Sequence, residues 1–221
     1  MVKMLEEMRS FFNKRVDGYE QHMMDFVDGA GNYYIETAKL VPQNQPIKLL
    51  DLGCGTGLEL DEIFKINPKV EVTGIDFSKD MLEKLKEKHK DRINQIRLIE
   101  DSYFNYDMGE ESFDVALSVQ TLHHFTHEEK LQLYKKLFKS LKYGGIYIET
   151  DYMAPNQEYE DFNFNENKRI RKELGITEGF YHYDTPCTVE NQEKILYEAG
   201  FKSVEKVNQF GNTVILLSKK F

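Results

Sequence analysis

The sequence predicts an α/β protein: a mostly parallel sheet with helices on both faces, ended by an antiparallel hairpin. Three observations predict it. Short apolar runs alternate with helix-like segments through residues 47–150, the pattern of strands covered on both faces. Within that region LLDLGCGTG, Leu49 to Gly57, carries a strand into a helix through a turn made of glycines. Beyond it, two β-like runs separated only by Gly211-Asn212 close the chain, a spacing that joins adjacent antiparallel strands.

Residues 1–40 read as helical, with interruptions at Asp17-Gly18 and Asp28-Gly29, and form an N-terminal helical cap. Pro42 to Pro46 is a polar connector. Ile47 to Asp51 is the first strand and Leu58 to Ile66 a helix, ended by Asn67-Pro68. Val70 to Ile75 is the second strand. Ser78 caps a charged amphipathic helix that runs to about Lys90. Ile96 to Glu100 and Phe113 to Ser118 are the third and fourth strands. Thr126-His-Glu-Glu129 is a capping-box pattern opening a helix to Leu141. Tyr143-Gly144-Gly145 then turns into a fifth strand, Gly145 to Thr150. Residues 152–186 break the rhythm with polar and aromatic residues and a short helix over 165–174, and read as a substrate-side insert. Thr188 caps a helix ending at Gly200, and Ser203–Phe210 and Thr213–Ser218 are the closing strands. The 221 residues form one domain.

Composition bounds the partners. The net charge is -9, which opposes a large nucleic-acid surface and suits a small or cationic ligand. No window approaches the roughly 18 apolar residues of a membrane span, and the start lacks an export-signal core. Two cysteines, Cys54 and Cys187, suggest neither a disulfide framework nor a metal cluster. A cytoplasmic monomer or homodimer acting on a small molecule is expected, with no metal.

The glycine loop and Asp76, nineteen residues beyond Gly57, make a nucleotide-like site: close approach at the turn, and a carboxylate for a ribose diol. Asp51 directly before the loop repels a pyrophosphate and welcomes an ammonium group. On these residues the chain resembles the class I S-adenosylmethionine-dependent methyltransferases, among them the ubiquinone and menaquinone biosynthesis enzymes. LDLGCGTG matches their cofactor loop, IEDSY the segment after the third strand, FDVALSVQTLHHF the fourth-strand motif, and LKYGGIYI the turn into the fifth. The resemblance implies a Rossmann-like seven-stranded sheet and S-adenosyl-L-methionine as cofactor, released as S-adenosyl-L-homocysteine. It implies that Gly53, Cys54, Gly55 and Gly57 approach the methionine part and ribose, and that Asp51 orients the amino group. Asp76 with Phe77 would hold the ribose, Asp101, Ser102 and Tyr103 the adenine, and Ser118, Val119 and Gln120 the methionine portion. The N-terminal segment would fold over the cofactor, with Arg15 meeting the methionine carboxylate and Tyr19 packing near the sulfur.

Each of these residues also has a plainer reading. The glycines are turn residues, Asp76 a helix-preceding cap, Asp101 a surface acid, and Arg15 an exposed helix residue. Cys54 reads as a small loop filler, not a nucleophile. Phe11 and Phe12 anchor their helix. Adjacent histidines point to different faces, so His123 and His124 are not read as a metal pair. One of them, His124 in the first instance, contacts cofactor or substrate, or both lock the loop. His127, at the helix start, faces solvent. His124, Tyr19 and His182 are the catalytic candidates, since an oxygen or carbon acceptor needs a general base. Tyr152, Met153, Tyr181, His182, Tyr183 and Asp184 are candidate pocket residues or a packed lid. The family's DPPY- or NPPY-like run is absent, which points away from adenine or glutamine amides and toward a small metabolite. A non-methylating enzyme on the same scaffold, a nicotinamide-linked oxidoreductase and a binding-only homologue are the alternatives.

Overall fold

A computed structural model describes residues 5–221; the first four positions of the expected helical cap lie outside the described residues. A two-residue strand, β1 (Glu6–Glu7), opens it. Helices α1 (Met8–Asn13), α2 (Tyr19–Phe26) and α3 (Ala30–Lys39) follow. The α1–α2 break is a short 3-10 turn at Val16–Gly18, and Gly29, with φ 78°, starts α3, so both expected interruptions are present. Then come β2 (Ile47–Leu52), α4 (Leu58–Ile66), β3 (Val70–Asp76), α5 (Lys79–Lys88), β4 (Ile96–Glu100) and β5 (Phe113–Val119). The chain continues through α6 (His127–Ser140), β6 (Leu141–Tyr152), α7 (Gln157–Glu173), β7 (Tyr181–His182), α8 (Val189–Ala199), β8 (Ser203–Phe210) and β9 (Thr213–Lys219).

Seven strands form one sheet in the order β4-β3-β2-β5-β6-β9-β8. The first five are parallel; β9 runs antiparallel between β6 and β8. The two-residue periodicity of the strands divides their side chains between two cores. Leu49 of β2 joins Tyr33, Ala38, Leu60, Ile63 and Leu85 under α3, α4 and α5, while Leu50 and Leu52 join Tyr134, Leu137, Tyr147, Leu196 and Phe201 under α6 and α8. Helices therefore cover both faces, as expected.

The caps follow the sequence signals. Ser78 Oγ accepts from Met81 N at 3.2 Å, and Thr126 and Glu129 make both halves of their capping box. Two elements differ from expectation. Helix α6 stops at Ser140, and β6 starts immediately, with a register shift opposite Phe113/Val115 that accommodates Gly144 at φ 78°. Helix α7 starts eight residues before the expected 165. Asn156 caps it by accepting from Tyr159 N, and Arg169 bonds to Glu166 and Glu173 along its face. Only Glu160 and Ile170 of α7 are buried, so its sequence carries almost no apolar period.

The chain order reverses between β2 and β5, which lie side by side at the middle of the sheet. Loops leaving the carboxyl ends of such a pair form a crevice. Over it lies a cover made of two distant segments: β1 pairs with β7, Met8 N donates to Phe180 O at 3.0 Å, and the Phe11 ring stacks on His182 at 3.5 Å. No helix among the described residues is long and apolar enough to cross a membrane.

Candidate active site

The loop after β2 is shaped by two missing side chains. Gly53 has φ 71°, and a Cβ there would lie 2.3 Å from Thr121 Oγ1. Gly74, on β3, leaves room for the Cys54 sulfur, which a Cβ at position 74 would meet at 2.8 Å. Gly53 N and Cys54 N both donate to Ile75 O, at 2.8 and 3.2 Å, tying the loop to the neighbouring strand. Gly55 N donates to Asp76 Oδ2 at 3.0 Å and Ser78 N to Asp76 Oδ1 at 2.8 Å. Burial raises the Asp76 carboxyl to about 6 despite those two donors.

Two more acids sit beneath the loop. Asp51 is 1% exposed and Glu59, in the first turn of α4, is 5% exposed. Asp51 Oδ2 and Glu59 Oε1 are buried with no donor other than the partner acid's own proton. Burial, then repulsion from Glu59, holds the Asp51 carboxyl well above its ordinary range, and burial raises Glu59 to about 7. An uncompensated pair of buried acids is costly, and a cation supplied by a ligand relieves it. The two acids lie behind the loop and on neither cavity's wall, close enough for a ligand's ammonium group to offset them through the loop, and the side-chain-free turn with Asp76 fits a ligand with a diol, as S-adenosylmethionine has.

Two cavities meet here. The smaller, about 30 Å³, is walled by Gly53, Gly55, Asp76, Phe77, Tyr103 and Val119 and roofed by Met8 and Phe12. The larger, about 950 Å³, extends under α1 and α2 to the tip of the β8–β9 hairpin. Phe12, Tyr19, Gln120 and His124 line both and form the threshold between them. Gln120 holds a left-handed backbone, φ 53°, rare for a residue with a side chain. Its N donates to Thr150 O at 2.8 Å and its Nε2 to Thr213 Oγ1 at 2.9 Å.

Several expected positions lie off the wall of the smaller cavity. The Cys54 side chain packs beneath Gly74 and lines neither cavity; burial raises its thiol well above the usual range. Gly57 faces α5, where a Cβ would lie 3.0 Å from Leu85 Cγ. Ser118 Oγ is buried against Tyr147 OH at 2.7 Å, on the α6/α8 side. Asp101 and Ser102 bond locally, Asp101 Oδ1 accepting from Ser102 N at 2.7 Å, and stand beside Asp76 without reaching the cavity wall. Arg15 lies on the larger cavity, stacked on Phe11 and bonded to Glu6 Oε2 at 3.2 Å, so it does not face the glycine loop. His127 stands at the helix start with 45% of its side chain exposed, as expected, and its Nε2 lies 2.7 Å from Glu160 Oε1. Of the insert, Tyr152, His182 and Asp184 reach the cavity, whereas Met153 is core and neither Tyr181 nor Tyr183 lines it.

The wall of the larger cavity gathers His123, His124, His182 and Asp184, with buried Asp151 behind them. His123 Nδ1 lies 2.5 Å from Asp151 Oδ1 and its Nε2 3.7 Å from Asp184 Oδ1. His124 Nδ1 lies 3.2 Å from the same Asp184 oxygen and 3.3 Å from Tyr183 O. The adjacent rings are 4.0 Å apart, and His182 is 4.8 Å from His124. Burial opposes charge on His123, but Asp151 and Asp184 outweigh it and raise that imidazole. Burial and then the neighbouring imidazoles lower His124, and lower His182 to about 4. Sequence reasoning missed Glu59, Asp151 and the meeting of His123 with Asp184. Asp151 alone had a signal, as an acid at the end of a parallel strand.

The chain is similar to known methyltransferases in sequence and fold. Residues 49–145 match the family model of a methyltransferase domain. A carboxy-S-adenosyl-L-methionine synthase of Nautilia profundicola is 25% identical over 97% of this chain and 93% of its own. A crystal structure described as a putative O-methyltransferase from Nostoc punctiforme superposes with a TM-score of 0.72 at 23% identity. The match covers 97% of this chain and 62% of that longer one. Phosphoethanolamine N-methyltransferase 2 of Haemonchus contortus, solved with S-adenosyl-L-methionine, gives 0.70 at 16% identity over 94% of this chain and 58% of its own.

Proposed function

We propose, starting from the chain's place among the class I S-adenosylmethionine-dependent methyltransferases, that it transfers a methyl group to a small molecule held in the larger cavity. The observation that carries this reading is the shared threshold: Phe12, Tyr19, Gln120 and His124 face the donor side and the acceptor side at once. S-adenosylmethionine supplies a methyl group on a sulfonium, a leaving group that needs no protein nucleophile. Positioning then provides much of the rate enhancement.

The chain's residues divide that work. Asp51 and Glu59 would offset the ammonium group through the loop and Asp76 would hold the ribose hydroxyls, with the Gly53 and Gly55 backbone allowing close approach. Phe77 and Tyr103, flanked by Asp101 and Ser102, would bound the base, and Val119 and Gln120 the amino-acid tail. The rings of Phe12 and Tyr19 offer π-faces to a sulfonium. His124 would orient the acceptor at the threshold, and His182, stacked on Phe11, would form its outer wall. The acceptor is a small molecule with an oxygen, nitrogen or carbon nucleophile.

A second reading, modification of the cofactor itself, has one observation in its favour: the relative named as a carboxy-S-adenosyl-L-methionine synthase aligns along nearly all of both chains. Against it, the two Lys/Arg side chains on the larger cavity's wall, Lys14 and Arg15, both pair with Glu6. Glu6 takes Lys14 Nζ at 2.7 Å and Arg15 Nη1 at 3.2 Å, so neither is free for an added carboxylate. Incubation with methyl-labelled S-adenosylmethionine and fractionated metabolites, read by mass spectrometry, separates the two. Methyl transfer gives S-adenosylhomocysteine and a labelled metabolite. A heavier cofactor with no S-adenosylhomocysteine overturns it, as does failure of the folded chain to bind the cofactor.

A further inference from the structure

We propose that His123, His124 and Asp184 bind a divalent first-row transition metal on the wall of the acceptor cavity, an inference that deepens the acceptor half of the reading above. One ligand atom from each of the three residues lies within 4.8 Å of the others. Asp184 Oδ1 is the common point, 3.2 Å from His124 Nδ1 and 3.7 Å from His123 Nε2. Metal–ligand bonds of about 2.1 Å at tetrahedral angles place ligand atoms about 3.4 Å apart, so both Asp184 distances are within a few tenths of an ångström of ligand spacing, and the two histidine nitrogens have at most about 1.4 Å to close.

Three further features favour a metal over an ordinary hydrogen-bond cluster. Buried Asp151 holds His123 Nδ1 at 2.5 Å, which turns Nε2 toward Asp184. Metal-ligating histidines are oriented in this way by a carboxylate on the other ring nitrogen. That contact leaves His123 Nε2 without a hydrogen bond, since 3.7 Å is too long for one. All three residues also line the open cavity, which leaves coordination positions for an acceptor oxygen, as catalytic metal sites do. On loading, His124 keeps one proton, on Nε2, and its Nδ1 exchanges the Tyr183 carbonyl for the ion.

The ligand set narrows the ion. Two imidazoles and one carboxylate suit zinc, iron(II), cobalt or nickel and not magnesium or calcium, which require oxygen. A second group, His127, Glu160 and Cys187, has comparable spacing but different surroundings. There the Lys130 ammonium lies 3.3 Å from Cys187 Sγ, and Glu160 Oε2 accepts from Thr188 N at the start of α8. An ammonium at the sulfur repels a cation, and the carboxylate is already committed to the helix.

The test is cobalt(II) titration of the tag-free, chelator-treated full chain, followed by visible ligand-field absorption and calorimetry. One saturating equivalent is expected. D184N and H123Q should each weaken uptake about tenfold or more, and D151N by about tenfold, the range seen when outer-shell carboxylates are changed. H127Q should leave uptake unchanged. Circular dichroism and S-adenosylhomocysteine binding confirm that each variant is folded. No saturable uptake by folded wild-type protein overturns the proposal, as does uptake insensitive to D184N and H123Q or abolished by H127Q. Undiminished methyl transfer by a chain that takes up no cobalt sinks the metal and leaves the transferase reading intact. Cobalt uptake without cofactor binding sinks the transferase reading and leaves the metal.

Discussion

Replacing Asp76 with asparagine separates what this residue does for the fold from what it does for the ligand. Its carboxyl, ordinarily near 3.8, stands at about 6 because of burial. At about 1.4 kcal/mol for each pH unit between those values, ionised Asp76 costs the ligand-free fold at most about 3 kcal/mol, less whatever screening the cavity allows. The sign follows: this stability is fully present below about 3.8 and is lost as pH rises through about 6. Asparagine removes the cost but carries one acceptor where Gly55 N and Ser78 N now use two. The orphaned donor costs about 1–3 kcal/mol, so the two effects nearly cancel and the melting temperature of D76N should move by only a few degrees. Binding should behave differently. A carboxylate accepting two ribose hydroxyls contributes about 1.5–3 kcal/mol per charge-assisted bond, so losing one such bond weakens affinity about 10- to 150-fold. In the wild type, affinity should hold above pH 7 and fall about tenfold per unit well below 6 as the carboxylate takes up its proton. Calorimetry of S-adenosylhomocysteine binding between pH 5 and 8, with melting curves for both proteins, measures all three. A D76N affinity equal to wild type, or a pH-independent wild-type affinity, refutes the reasoning.

Glu59 gives a complementary result. Its pKa is raised from 4.5 to about 7, so the ligand-free protein should lose melting temperature as pH rises through 7. E59Q should flatten that loss while weakening cofactor affinity, and a melting profile identical to wild type would contradict the buried-pair account. Gly53→Ala places a Cβ 2.3 Å from Thr121 Oγ1 at φ 71°. We expect about 1–3 kcal/mol of lost stability and much weaker cofactor binding, with T121A in the same chain recovering part of the stability but not the binding. Cys54 and Cys187 are buried with raised thiols, so native protein should resist alkylation and unfolded protein should not; rapid native labelling followed by mass mapping to Cys54 would show that the loop opens.

Local signals carried most of the fold into the sequence. Ser78, Thr126 with Glu129, and Thr188 cap helices where they are expected because a cap is a three-residue event. The proposed donor half of the site is legible for the same reason: Asp51, Gly53, Gly55 and Asp76 sit at the ends of consecutive strands. What was not legible depends on distance along the chain. Glu59 looks like an ordinary first-turn acid until packing places it against Asp51. The resemblance places Arg15 at the methionine carboxylate, whereas in the fold it bonds to Glu6 nine residues earlier. The acceptor wall joins residues of the N-terminal helices, the loop after β5, β7 and the final hairpin, a combination no periodicity announces.

The pairing of β1 with β7 sets a limit on traffic. Met8 and Phe12 lie over a space of about 30 Å³, so a nucleoside entering the glycine loop from that side, and not through the larger cavity, would require that two-residue bridge to part. Capture by that route would proceed at a first-order rate fixed by the clasp, and its observed rate should then level off as donor concentration rises. If about 1% of molecules are open, measured affinity is about 100-fold weaker than the site's own. Spent product is held by the same fastening, so turnover can be governed by its residence time while the displacement itself is fast.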